Sequence, residues 1–312
     1  MLADFRDAIF LSVRAMMEQD ERIVVLCNDM GAMELDRIRS DFPKRVVNVG
    51  ICEQNMASVA AGLALTNRRV FMYGIIAHVV SRGFEQIRND ICLSNLPVVI
   101  LGVGSGLAYG GDGPTHHGVD DIAVMRTLPH MAIYNPADCT AAGALTKAAA
   151  ERHGPGYVRL DKERLPQIYS TATDFSAGFE VLHEGQDIVL LATGVIVHRA
   201  LRVARTLAAE GIGIRVVDVY RLKPIDRAKL TEVICDVNSV VTLEENASVG
   251  GLGQMIGELL ARRAHPAAFT TLNLGDQPLM SAATRSWAEQ RFGLSDEAVT
   301  DVLRDVAQGV RT

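Results

Sequence analysis

Aromatic residues are scarce in this chain: they make up 5% of 312 residues, with a single tryptophan. Such an interior cannot be filled by rings. It has to close-pack small aliphatic side chains, and the 48% hydrophobic content with 27 glycines supplies them, a balance that suits α/β layers. Cysteine is also sparse. Cys27, Cys52, Cys92, Cys139 and Cys235 form no CxxC pair, and no cysteine–histidine cluster has zinc spacing, which argues against a zinc ribbon or a dithiol redox motif. Each lies in or beside an apolar segment, as reduced thiols of a cytoplasmic protein do. There is no basic run, and the net charge of −6 argues against a nucleic-acid partner. No apolar stretch reaches the roughly 18 residues of a transmembrane helix. In the opening "MLADFRDAIFLSVRAMMEQD" apolar residues recur at helical spacing and are broken by Arg6, Asp7 and Arg14, so an amphipathic first helix is expected there rather than a signal peptide.

What is present is an alternation. "RIVVLCND" (22–29), "RVVNVGI" (45–51), "RRVFMYGII" (68–76), "LPVVILGVG" (96–104), "HMAIYNP" (130–136) and "YVRLD" (157–161) read as buried strands. Between them, the segment from Glu53, 81–95 and 139–153 read as helices. Crossovers of this length join parallel strands, so a mainly parallel sheet covered by helices is expected. Periodicity is then lost in a stretch rich in Ser, Thr, Pro and Asp. A second alternation follows, with strands at 187–194, 213–220 and 239–246, a helix ending at Gly211, and a glycine turn feeding a helix over 250–264. The expected organisation is two α/β domains, 1–165 and 181–312, joined by a linker at 166–180.

The stretch "YGGDGPTHHGVDD" (109–121) raises a specific question. Gly111-Asp112-Gly113, with Asn135 downstream, imitates the signature by which thiamine-diphosphate enzymes hold Mg²⁺. The context differs: the preceding strand ends near Gly104, no helix starts cleanly after Gly113, and Asn135 precedes Pro136, which favours an extended backbone. Read through its side chains, the loop brings Asp112 and His116 to the C-terminal end of a parallel strand, where open α/β sheets bind ligands. A histidine there can exchange protons and a carboxylate can hold a hydroxyl. A plain solvated loop has the same residue types, so composition alone leaves the two readings open.

The wider sequence narrows the choice. "GDGPTHH" closely resembles the loop of transketolases and of deoxyxylulose-phosphate synthases. "VVNVGICEQNMASVAAGLAL" (46–65), "LPVVILGVGSGL", "YNPADCTAA", "GYVRLDKERLPQ", "VVDVYRLKPID" and "VTLEENASVGGLG" continue the resemblance in order, over essentially the whole chain. A full-length transketolase has an N-terminal domain that binds the diphosphate and Mg²⁺, then a pyrimidine-binding domain, then a C-terminal domain. This chain looks like the last two. The resemblance therefore implies the C-terminal subunit of a split transketolase, with thiamine diphosphate as cofactor and Mg²⁺ held mainly by a separate N-terminal subunit. It further implies an α2β2 assembly in the cytoplasm, no activity for the isolated chain, and sugar or sugar-phosphate substrates.

The same resemblance implies roles. Glu53 is the carboxyl that bonds ring N1′ of the cofactor. No other charge lies between Arg45 and Arg68, so desolvation is expected to raise its pKa. His116 handles protons and Asp112 holds a substrate hydroxyl. His117 replaces a residue that is often Gln, and either caps the loop or meets substrate. The family stacks an aromatic ring on the cofactor pyrimidine, whereas "GIIAHVVSRGF" (74–84) offers Ile76, Val79 or His78 in the slots; Arg82 and Phe84 fit the family's helix. Lys162 stands where the family has an arginine for substrate phosphate, a point charge in place of a fork. A phosphate-binding histidine of the family is replaced by "GVGSG". The small-residue helix 56–65 is expected near a subunit contact. Three alternatives remain: a deoxyxylulose-phosphate-synthase-like enzyme, the β subunit of a 2-oxo-acid dehydrogenase, and a non-catalytic regulatory homologue. Retention of Glu53 and His116 speaks against the last.

Overall fold

The computed structural model describes residues 4–262 and 267–309. The expected first-helix start at Met1, the last two residues of the helix expected over 250–264, and the end of the second domain at 310–312 lie outside them. Helix α1 (Phe5–Gln19) starts where the Asp4 side chain accepts the Arg6 N–H at 2.9 Å, a side-chain N-cap. Phe5, Ile9, Phe10, Val13 and Met17 form its buried stripe. The helix lies on α7 (Cys139–Glu151), close enough for Ser12 Oγ to donate to the Gly143 carbonyl at 3.1 Å.

The first sheet contains β1 (Ile23–Cys27), β2 (Val46–Asn48), β3 (Arg69–Ile75), β4 (Val98–Val103), β5 (Ala132–Tyr134) and β6 (Gly156–Leu160), all parallel, in the order β5-β6-β4-β3-β1-β2. Its central strands are buried on both faces, which is why they read as continuous apolar runs. The second sheet has the order β12-β11-β8-β9-β7, from β7 (Glu180–His183), β8 (Ile188–Ala192), β9 (Ile214–Asp218), β11 (Ser239–Leu243) and β12 (Ala268–Leu272). Both sheets are mainly parallel. The exceptions are β7, antiparallel to β9, and β10 (Arg221–Lys223), which leaves the second half of the chain to pair antiparallel with β5 in the first sheet.

The covering helices are α2 (Met33–Asp41), α3 (Glu53–Leu65), α6 (Asp121–Arg126), α8 (Val197–Ala208), α9 (Arg227–Ile234), α10 (Leu252–Leu260), α11 (Arg285–Arg291) and α12 (Asp296–Ala307). The helix expected over 81–95 is present but shorter and irregular, running from Phe84 to Cys92. A turn, α4 (Ile76–Val79), follows β3 directly; Gly83 bends the chain; α5 (Phe84–Gln86) then passes into a π-helical run, Ile87–Cys92. A Cβ on Gly83 would lie 2.8 Å from the Val79 carbonyl oxygen, so the bend needs glycine. Elements α2, α6, α9, α11, α12, β7, β10 and β12 extend the sequence reading. Several are short or half-buried, and β12 exposes residues on both faces.

Asp218, at the end of β9, is fully buried. Oδ2 accepts the Tyr169 hydroxyl at 2.7 Å, while Oδ1 has no partner among the described residues. Desolvation pushes its pKa well above the usual carboxylate value, and Asp138 and Glu180 add to this against the Tyr169 bond. A native pKa above the unfolded one costs stability as pH rises past the unfolded value. Asp218→Asn is therefore expected to gain at least about 1 kcal/mol at pH 8, the worth of one pKa unit. Denaturant melts should show the gain vanishing below roughly pH 4, where the unfolded carboxyl is also protonated.

Candidate active site

The strand order turns at β1: the chain moves outward to β2, then returns across β1 to β3. Such switch points at the C-terminal edge of a parallel sheet form ligand crevices. Here the edge carries Asn28 after β1, Glu53 after β2, α4 after β3, the 104–118 loop after β4 and Asp161 after β6.

Glu53 is the first residue of α3 and is completely buried. Asn48 prepares its approach. Its Oδ1 accepts the Asp29 and Gly50 N–H groups, each at 3.0 Å, tying the end of β2 to the end of β1. Asn28 Nδ2 then donates to Glu53 Oε1 at 2.8 Å, and Arg82 Nη1 donates to Oε2 at 2.5 Å. Gly74 makes room for Asn28, since a Cβ there would lie 3.0–3.2 Å from the Asn28 amide. Desolvation pushes the Glu53 pKa upward, as expected from the sequence. It is outweighed by the Glu53 backbone N–H, Arg82 and Asn28, so the carboxyl lies below its usual value. The expectation of a raised pKa is thus corrected: the charge-poor segment 46–67 gave no sign that Arg82 folds back onto Glu53.

Beside this acid lies a cluster of rings. The His78 and His116 rings meet edge-on with centroids 4.9 Å apart, and Tyr109 stands 6.1 Å from His116. Thr115 Oγ1 bonds His116 Nδ1 at 3.0 Å. Lys162 Nζ sits over the Tyr109 ring, 4.0 Å from its centroid, a cation–π contact. His78 is half-buried; desolvation, then Arg82 and His116, push its pKa below the usual imidazole value, with Glu53 opposing. Gly104 has φ +98°, and a Cβ there would fall 2.2 Å from the Tyr109 ring. Gly104 of "GVGSG" therefore seats the Tyr109 ring.

The chain matches the family model for the transketolase pyrimidine-binding domain over residues 2–167 and that for the transketolase C-terminal domain over residues 178–299. It belongs to the transketolase family. It is 31% identical over 281 residues to one of the subunits of the apulose-4-phosphate transketolase of Actinobacillus succinogenes, covering 90% of both chains. It is 30% identical over 293 residues to a 6-deoxy-6-sulfo-D-fructose transketolase subunit of a Clostridium species, covering 93% of this chain and 90% of that one. A solved split-gene transketolase, described as an inactive β4 tetramer, superposes with a TM-score of 0.87 at 33% identity over 99% of each chain.

Against this transketolase background, the residues read from sequence divide into two groups. Glu53 and Arg82 are in contact, and His116 and Lys162 share Tyr109 as a neighbour. Asp112 is exposed on the short 3₁₀ turn Gly110–Asp112 of the same loop. His117 lies inside the loop, 6% exposed, with its ring bonded to the Gly110 backbone and its pKa lowered first by burial. Ile76 and Val79 are fully buried. Ile76 fills space left by Gly102 and Gly118, whose Cβ atoms would each come within 2.9 Å of it. Ala77 and His78, between them, are the side chains this turn leaves half-exposed.

No helix follows Gly111-Asp112-Gly113 until Asp121, and buried Asn135 donates to Thr193 Oγ1 at 3.1 Å in the second half of the chain. Among the described residues, no group of three or more His, Cys, Asp or Glu side chains is arranged to hold a metal ion, and no helix is long and apolar enough to cross a membrane. Sequence reasoning missed Asn28 and Tyr109. The available signal for Asn28 was its position just past a parallel strand; for Tyr109 it was the pairing with Gly104.

Proposed function

We propose that this chain is the C-terminal subunit of a two-chain, thiamine-diphosphate-dependent transketolase that transfers a two-carbon ketol unit from a ketose to an aldose acceptor. The observation that carries this reading is the carboxyl of Glu53, buried at the head of α3 beside the ring cluster of the 104–118 loop. The donor set suits an aminopyrimidine ring: Glu53 can share a proton with a ring nitrogen, and the unpartnered Asn28 Oδ1 can accept from an amino group. Bound thiamine diphosphate would supply the carbon nucleophile that cleavage of a ketose next to its carbonyl requires.

The remaining tasks fall to this chain's side chains. Asn28 fixes Glu53 Oε1, which leaves Oε2, now on Arg82, to exchange the proton. Thr115 engages His116 Nδ1, so Nε2 is the ring nitrogen that exchanges protons with a substrate hydroxyl. Asp112 holds a second hydroxyl, and exposed Lys162 attracts a terminal anion. The names of the two curated relatives contain a phosphate and a sulfo group, which supports an anionic ketose as substrate. Mg²⁺ and the diphosphate belong to the partner subunit, in an α2β2 assembly in the cytoplasm. The exposed residues Val47, Ile51, Ser58, Gly62 and Leu65, on β2, α3 and the turn between them, are the face proposed for that contact.

The test is reconstitution. The chain alone, with thiamine diphosphate and Mg²⁺, is expected to leave ketose uncleaved. Co-purified with a chain carrying the diphosphate-binding domain, it should release aldose. Turnover by the lone chain would overturn the two-chain reading, and release of CO₂ from a 2-oxo acid would favour the decarboxylating alternative.

A further inference from the structure

Arg285, the first residue of α11, lies far along the chain from the catalytic loop but is bonded to both groups that hold it. Its Nε and Nη2 donate to Glu245 Oε1 and Oε2 at 2.8 and 2.6 Å. Its Nη1 donates to Asp161 Oδ1 at 3.0 Å and to Glu163 Oε2 at 2.9 Å. Glu245 and Asp161 are almost completely buried. Glu245 Oε2 also accepts the Leu107 N–H at 3.1 Å, and Asp161 Oδ2 accepts the Ser105 hydroxyl at 2.7 Å. Asp161 Oδ1 further accepts the backbone N–H of Lys162 at 2.8 Å. One guanidinium thus bridges two buried carboxylates, each gripping the start of the loop that carries Tyr109, Asp112 and His116.

Two glycines show how tight this grip is. A Cβ on Gly106, at φ +56°, would lie 2.1 Å from Glu245 Oε2, and one on Gly110 would lie 2.5 Å from the Ala283 carbonyl oxygen. Ala283 N–H donates back to the Gly110 carbonyl at 2.9 Å. Burial pushes the Glu245 carboxyl toward protonation, and the neighbouring Arg285 charge overcomes it.

We propose that Arg285 is a positioning residue for the substrate loop: through Glu245 and Asp161 it sets where Tyr109, His116 and Lys162 stand, so that the second half of the chain controls sugar binding. The inference rests on the proposed transketolase site for its catalytic consequence, but not for its structural one. Planar, forked donation to two carboxylates is something a lysine cannot reproduce.

Hydrogen–deuterium exchange on the full chain reads the structural part without any catalysis. In Arg285→Ala, amides 105–118 are expected to exchange about tenfold faster while β1, β4 and β8 keep their protection, with Arg285→Lys intermediate. In the co-purified enzyme, ketose KM should rise about tenfold, kcat should change less, and thiamine diphosphate affinity should hold. Wild-type loop exchange or an unchanged KM in a folded Arg285→Ala variant would overturn the proposal. If that variant does not fold, Gly106→Ala decides: it drives a methyl into the Glu245 contact and removes no charge. Fast loop exchange in it supports the proposal, and wild-type exchange overturns it. Failure of ketose cleavage in the co-purified wild type would remove the transketolase reading and leave the exchange result standing.

Discussion

Glu53→Gln is expected to lower ketose turnover of the assembled enzyme by about 10³-fold, the scale of a lost proton-transferring group. Glutamine matches glutamate in volume and can still accept the Asn28 amide through its Oε1, so the head of α3 keeps its shape. It cannot hold or release a proton, and its NH₂ meets the Arg82 guanidinium donor to donor. That clash is tolerable because Arg82 is 45% exposed and can turn to water. Stability should therefore change by no more than about 1 kcal/mol, the typical net worth of one hydrogen bond. Steady-state kinetics beside a thermal melt separate the two effects. Turnover within threefold or so of wild type, in a folded and assembled variant, would remove Glu53 from its proposed proton-sharing role. The Arg82 bond sharpens the issue. It holds Glu53 ionised in the lone chain, whereas sharing a proton with a ring nitrogen requires Oε2 to be released from Arg82.

How much of this was legible in the sequence depends on how local the physics is. Strands β1, β4 and β8 are buried on both faces, so each wrote a continuous apolar run. Helix α8 carries its buried residues at helical spacing and ends near Gly211, at φ +82°, as read. β10 was not legible: three residues, "RLK", pair across halves of the chain with β5. The late start of the helix expected over 81–95 hinges on Gly83, which packs against Val79 four residues before it and against Glu53, distant in sequence. The site shows the same divide. Motifs marked Glu53, Arg82, His116 and Lys162 one at a time. The contacts that set their chemistry span 25 residues for Asn28–Glu53 and 29 for Arg82–Glu53. No window along the chain contains them, and so the pKa of Glu53 was expected to move the wrong way. Tyr109 was passed over because its importance lies in the space left by Gly104.

His116→Ala is expected to lower kcat/KM for ketose by about 10²-fold, toward the lower end for general acid–base catalysis because solvent at an open loop can partly substitute. The ring is half-exposed and is held by Thr115 at Nδ1 and by ring contacts with His78 and Tyr109, so its loss leaves the first sheet untouched. His78 is the obvious understudy, 4.9 Å away, but it bonds the Thr115 backbone, and desolvation and Arg82 disfavour its charged form. It can keep the site polar without taking over the proton. His116→Gln separates the possible roles: it preserves a hydrogen-bonding side chain of similar reach but cannot exchange a proton. If His116 only orients the sugar, glutamine restores kcat/KM to within a few-fold of wild type, and the proton-handling role fails. If it carries the proton, glutamine and alanine lose turnover alike, and glutamine recovers only the KM part of the loss.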